Sequence, residues 1–465
     1  MRTERDTLGP VAVPDHALYG AQTQRAVENY PISGLREHPV FIRAFVYLKK
    51  AAALANLELG AIDEKLALAI AAACDDLLGN EDKYRDQFVV DVFQAGAGTS
   101  FNMNVNEVIA NLANLELGGK LGEYKHLNPN DHVNMAQSTN DVFPTAIRIA
   151  TLLLLQQLLP RLDDLAAAFE EKGEQFRDVI KSGRTHLQDA VPVTLGQEFS
   201  AYGAVTRRAT RLLREASNEL RYLGIGGTAT GTGINTPIGY RYVVVRHLHD
   251  LTGLQLESAD DLREAMQSQL PVVAVSAAYR NLALELTRVT NDLRLLASGP
   301  QTGLAEIILP PVQPGSSIMP GKVNPSMLEC MNQVLFHIIG ADTAIAFASQ
   351  AGQLELNVMM PLMAFEITFS IEILKNFLPV FVEKGIRGIE ADRARTEGYY
   401  ISSPSLATAL NPIIGYAAAA EIAKESAKSG TPIPDLLRAK KLLPEEKIRE
   451  IFTPEFLAGQ ADRKS

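Results

Sequence analysis

Apolar residues in this chain keep helical spacing over long distances. From about residue 142, in "PTAIRIATLLLLQQLLPRLDDLAAAFEEKGEQF", Ile147, Leu154, Leu158, Leu162, Leu165 and Phe169 recur at threes, fours and sevens, the repeat of one helix face. The run predicts a helix of about nine or ten turns. Four more stretches read the same way, at 196–223, 260–298, 325–350 and 361–388, and five long helices make a bundle. Pro160, Pro271 and Pro379 lie inside these stretches and are expected to kink or interrupt them. "LPVVAVSAAYRNLALEL" and "LECMNQVLFHIIGADTAIAFA" are apolar around more of their circumference than one chain can cover. The leftover face is expected to pack against other copies in a large symmetric homo-oligomer.

The flanks read differently. Residues 1–140 mix shorter helices with Gly- and Asn-rich loops, an N-terminal domain ahead of the central bundle at 141–392. Residues 393–465 become short helical segments with a charged tail, a small C-terminal domain. The expected class is therefore mostly α, in three domains.

Composition narrows the function classes. The 465 residues are 46% hydrophobic, enough for sizeable cores, and 54 acidic against 44 basic side chains leave a formal charge of −10. That balance offers no general attraction to nucleic acid or anionic lipid, so neither is expected as a partner. Cys74 and Cys330 are too few for a disulfide framework and lack neighbouring zinc ligands, which points to a reducing cytoplasm. The start lacks the apolar core of a signal peptide, and "AIRIATLLLLQQLLPRL" is interrupted by Arg148, Gln156, Gln157 and Pro160. Neither export nor membrane insertion is expected.

Four polar loops stand out against this apolar background: "QAGAGTSFNMNVNE" (94–107), "NMAQSTNDVFPTA" (134–146), "SGRTHLQDAVPVTLGQE" (182–198) and "PGSSIMPGKVNP" (314–325). Each alone reads as helix capping: Asn324 before a helix starting at Pro325, and Ser138 to Asp141 before another. Together they suggest more, because helix N-termini present free N–H groups and partial positive charge, to which Lys322 and Arg184 add full charges. Converging loops of this kind suit a small molecule with more than one carboxylate. "GIGGTATGTG" (224–233) lacks the Gly-Lys-Ser/Thr of a P-loop and the strand-to-helix setting of a dinucleotide site.

At "GSSIMPGKVNP" the sequence resembles the signature of the aspartase/fumarase superfamily, and the resemblance extends through "GAGTSFNMNVNEVIAN", "LNPNDHVNMAQSTND", "GRTHLQDAVPVTLGQEF", "GGTATGTGINT" and "AGQLELNVMMP". It implies a mostly helical, three-domain subunit whose long central helices assemble a homotetramer, with active sites built from loops of three subunits. It implies removal of a proton from one carbon and expulsion of an amine or water from the next; no organic cofactor and no metal-ligand residues are expected. By resemblance Ser316 is the base, and Thr99, Ser138, Thr139 and Ser317 grip the carboxylate where charge develops. Thr185, Lys322 and Asn324 hold the other carboxylate, Asn140 and His186 contact the leaving amino group, and Glu329 supports His186. The other histidines considered, His126, His132, His247, His249 and His337, carry no implied role.

Flanking detail separates the branches. Thr139 in "QSTND", with "GAGTSFN", "LNPNDHVN" and "AGQLELNV", resembles the aspartase branch more than the fumarase branch. His186 stands where some aspartases have glutamine and fumarases keep histidine. The expected reaction is reversible deamination of L-aspartate to fumarate and ammonia, with hydration of fumarate to L-malate as the alternative. A silent crystallin-like protein is disfavoured, since Ser316, Lys322, Asn324 and His186 are all present.

Overall fold

The computed structural model describes residues 1–459, and these are mostly helical. In chain order the first elements are the antiparallel hairpin β1 (Arg2–Asp6) and β2 (Gly9–Val13), then α1 (Ala21–Asn29), α2 (Pro39–Glu58), α3 (Glu64–Gly79), the single turn α4 (Glu81–Tyr84) and α5 (Thr99–Glu116). α6 (Thr139–Gln175) is followed by β3 (Ile180–Thr185), β4 (Gln188–Thr194), α7 (Leu195–Ser217), α8 (Tyr240–Thr252), α9 (Leu262–Gln267), α10 (Leu270–Leu296), α11 (Ser326–Gln350) and α12 (Met360–Phe381). Short helices from Arg393–Ser402 to Pro454–Leu457 are the last elements of the described residues.

The five expected long helices are α6, α7, α10, α11 and α12, and the prolines act in three different ways. α6 runs unbroken through Pro160 for 37 residues. The stretch 260–298 splits at Ser268, so Pro271 is the second residue of α10, where its missing N–H costs nothing. Pro379 lies inside α12, which ends at Phe381 and continues as a π-turn over Val382–Ile386. α6 and α11 are long and apolar enough to cross a membrane; 72% of the apolar window of α6 is buried inside the chain, as in a core helix, against 39% for α11.

The chain forms two compact units, each drawn from three stretches because every long helix contributes residues to both. Unit 1 holds residues 1–159, 211–283 and 336–375. Its centre is a knot of rings, Phe41, Phe45, Phe101 and Phe143, all fully buried, with edge-on and stacked contacts between 5.1 and 5.7 Å. Tyr279 Oη donates to Ser370 O at 3.0 Å, joining α10 to α12 within this unit. Unit 2 holds residues 160–210, 284–335 and 376–465. Phe169, Phe176, Phe199 and Tyr202 pack between α6 and α7 there, and Leu406, Leu410, Ile433, Leu437 and Ile451 form a second core among the short C-terminal helices.

Candidate active site

The implied site residues fall into two sets. Thr99, Ser138, Thr139 and Asn140 belong to unit 1; Thr185, His186, Ser316, Ser317, Lys322, Asn324 and Glu329 belong to unit 2.

In unit 1, Ser138 and Asp141 form a capping box at the start of α6. Ser138 Oγ accepts from Asn140 N at 3.2 Å, and Asp141 Oδ1 accepts from Ser138 N at 2.9 Å. The other oxygen of Asp141 accepts from Gly226 N at 3.0 Å and Thr228 N at 2.8 Å, and Asn140 Nδ2 donates to Ala229 O at 2.9 Å. The Gly-rich loop 224–233 is thus a backbone lock for the start of α6. Because its amide nitrogen is engaged, Asn140 is left with a carbonyl oxygen, the atom suited to accept from an ammonium. Thr139 is 8% exposed and its Oγ1 accepts from Asn102 Nδ2 at 3.0 Å, which leaves its own proton to donate. Beneath this loop the fully buried Lys49 donates to Asn134 Oδ1 at 3.0 Å and Gln137 Oε1 at 2.9 Å. Burial pulls the Lys49 ammonium down and pushes the Asp141 carboxyl up, and each partly offsets the other through their mutual attraction.

Thr99 begins α5 after two left-handed residues, Ala97 (φ 63°) and Gly98 (φ 85°). Gly98 has a second constraint: a Cβ there would lie 2.0 Å from the Phe143 ring, so the turn fits against the aromatic core only with glycine.

In unit 2 the signature loop closes on itself. Gly315 N donates to Lys322 O at 2.8 Å and Asn324 Nδ2 donates to Gly315 O at 2.6 Å. Asn324 therefore fastens the loop, and the helix begins at Ser326, where capping by Asn324 of a helix from Pro325 was expected. Ser316 Oγ accepts from Ile318 N at 3.2 Å and Met319 N at 3.0 Å. Two N–H donors aimed at one hydroxyl oxygen favour its ionised form. Lys322 is exposed, and among the described residues its ammonium has no partner. Ser317 is exposed in the same loop.

The segment 182–198, read from sequence as a loop, holds most of the β3–β4 hairpin and the start of α7. Thr185 pairs with Gln188 across a two-residue turn in which His186 (φ 56°) and Leu187 (φ 59°) are both left-handed. Thr185 and His186 are exposed at its tip. Glu329 lies in the first turn of α11, and no hydrogen bond or ion pair joins it to His186 among the described residues.

Arg184, expected to add positive charge to the site, is committed elsewhere. Its Nη1 lies 2.8 Å from Oε1 of the fully buried Glu306, whose Oε2 lies 3.0 Å from Lys181 Nζ; Lys181 also reaches Glu198 at 2.8 Å. Lys181 to Glu198 is a hydrogen bond, whereas the two contacts to Glu306 are at ion-pair distance without that alignment. Two cations and two carboxylates balance inside the unit and anchor the hairpin to the segment after α10. Sequence reasoning missed Lys49, Lys181 and Glu306; the signal for Lys49 was a cation on the helix face that carries Phe45 and Ala52. Among the described residues no group of three or more His, Cys, Asp and Glu is placed to hold a metal.

A family model described as "Lyase" matches residues 9–340, and one described as "Fumarase C C-terminus" matches residues 406–459. The aspartate ammonia-lyase of Bacillus subtilis is 48% identical over 453 residues, 97% of this chain and 95% of that protein. A solved fumarate lyase/delta crystallin from Brucella melitensis has a TM-score of 0.93 at 46% identity, covering 97% of this chain and 98% of that one. A class II fumarase from Schistosoma mansoni also reaches 0.93, at 34% identity with 99% of both chains covered. Full-length identity at this level, with the signature loop intact, leaves one conclusion: the chain belongs to the lyase family of the aspartase/fumarase superfamily.

Proposed function

We propose that this chain is an aspartate ammonia-lyase that converts L-aspartate reversibly to fumarate and ammonia. The observation that carries the reading is Ser316, whose Oγ receives two backbone N–H groups inside the signature loop, in a chain 48% identical to an aspartate ammonia-lyase along nearly its whole length. Ser316 Oγ takes the C3 proton, and the electron pair moves into the adjacent carboxylate as an aci-carboxylate. Donors from Thr99, Ser138, Thr139 and Ser317 stabilise that added charge. The pair then returns to form the C2=C3 bond while the C2–N bond breaks and ammonia leaves, with the Asn140 carbonyl and His186 facing the amine. Thr185, Lys322 and Asn324 hold the second carboxylate, and Glu329 supports His186.

The reading includes a homotetramer whose subunits share sites, a subunit divided at 1–140, 141–392 and 393–465, and a cytoplasmic setting. Phe336 and Phe347, 55% and 64% exposed on the same face of α11, support burial of that face against another copy. Both cysteines are free thiols, in keeping with a reducing setting.

Ultraviolet absorbance of fumarate tests the substrate. Fumarate is expected from L-aspartate; its formation from L-malate and not L-aspartate would make the chain a fumarase, and silence with both would favour a crystallin-like role. Lys322→Ala is expected to raise KM at least about tenfold, roughly 1.4 kcal/mol, with the oligomer intact. An unchanged KM would remove Lys322 from the carboxylate site.

A further inference from the structure

The start of α5 has an unusual support. Gly98, at its N-cap position, has no side chain to cap the helix. The first-turn N–H of Phe101 is instead taken by Gln94 Oε1 at 2.9 Å, reaching over the left-handed pair Ala97 and Gly98. The amide nitrogen of Gln94 donates to Glu37 Oε1 at 3.1 Å and to Asp91 O at 3.2 Å. One glutamine thus ties the segment before α2 to the helix start that carries Thr99, all within unit 1.

Glu37 is 3% exposed, and its Oε2 has no hydrogen-bond partner. The charged group facing it is Asp91, whose carboxylate accepts from Ser33 N, Ser33 Oγ, Gly34 N and Phe93 N at 2.8–2.9 Å. Burial works against charge on Asp91, but these donors outweigh it and hold its carboxyl below the usual range. Burial first, and the Asp91 charge second, push Glu37 up to about 8. No cation pairs with Glu37 among the described residues. The neighbouring His38 accepts from Val40 N and lies 3.4 Å from Glu372 on α12, which also pairs with Lys375, and Arg85 bears on the same imidazole. Arg36 is exposed and donates to Leu35 O.

We propose that Gln94 and Glu37 are positioning residues for the reaction: the Glu37 carboxyl holds Gln94, and Gln94 holds the start of α5 on which Thr99 is presented. The proposal rests on the reading of Thr99 as a donor to the carboxylate where charge develops. Neutral, Glu37 sits beside the Asp91 carboxylate without repulsion. Ionised, it becomes a second buried anion with one oxygen lacking any donor, and entry of water between residues 33–37 and Gln94 relieves that cost. The helix start then loses its side-chain cap. Because the lost interaction belongs to the transition state, kcat falls while KM moves less.

Glu37→Gln is the test, since glutamine keeps the acceptor for Gln94 and cannot ionise. Kinetics with L-aspartate between pH 6.5 and 9.5 give the ratio of wild-type to variant kcat, in which titrations of substrate and base cancel. The ratio is expected to stay near one at pH 7 and to fall several-fold by pH 9, and Gln94→Leu is expected to lower kcat throughout. A ratio flat with pH, or normal kcat in a folded Gln94→Leu protein, would overturn the proposal. Thr99→Val separates the two failures. If it lowers kcat while the ratio stays flat, the latch is wrong and the site reading stands; if it leaves kcat unchanged, the reading of Thr99 fails first.

Discussion

Ser316→Ala is expected to lower kcat by roughly 10³–10⁴-fold, the scale of losing a positioned base, with KM changed little. The loop should survive the change. Its closure runs through Gly315 N to Lys322 O and Asn324 Nδ2 to Gly315 O, neither of which uses the serine side chain. The N–H groups of Ile318 and Met319 lose their acceptor, but Ile318 is 83% exposed and water replaces the lost contact. The measurement is fumarate formation at saturating L-aspartate, with sedimentation to show the same oligomer as wild type. Turnover within a few-fold of normal would take the base role away from Ser316, whatever the substrate.

Glu306→Ala should be the most damaging change to stability near the hairpin, at roughly 3–5 kcal/mol, because it removes the one carboxylate shared by two cations inside the unit. Arg184 loses its ion-pair partner, and Lys181, 1% exposed, keeps only Glu198. Glu306 also ties backbone segments together: its N–H donates to Leu296 O at 2.9 Å and its carbonyl accepts from Asp392 N at 3.0 Å. Those bonds remain in the variant, so its loss reports the carboxylate alone. The midpoint of thermal unfolding should fall by on the order of ten degrees. A shift equivalent to less than about 1 kcal/mol would mean that the four charges contribute little beyond their own desolvation.

The long helices were legible because their signal is dense. Ile147 through Phe169 mark one face many times over, and all six marker residues are buried. The signature loop was legible as chemistry because Ser316, Lys322 and Asn324 are crowded between glycines and prolines. What could not be read was pairing over distance. Nothing local in "SGRTHLQDAVPVT" says that Ile180 lies opposite Thr194, or that Arg184 is committed to Glu306 over a hundred residues away. Likewise Asp141 reads as a helix cap, and its second task, receiving Gly226 N and Thr228 N, depends on a loop that only the tertiary fold brings near. Pro271 shows the same limit: its effect depended on whether the helix had already begun.

The turn at His186 and Leu187 has an implication for anyone improving this protein's robustness. Both residues sit in left-handed conformations that Asn-Gly would occupy with less strain, so a redesign guided by folding energy would write Asn-Gly there. It would gain a firmer hairpin and erase the imidazole. On the reading of His186 as a contact to the leaving amine, the turn sequence that folds best gives up that contact, and a screen for heat resistance selects for its loss.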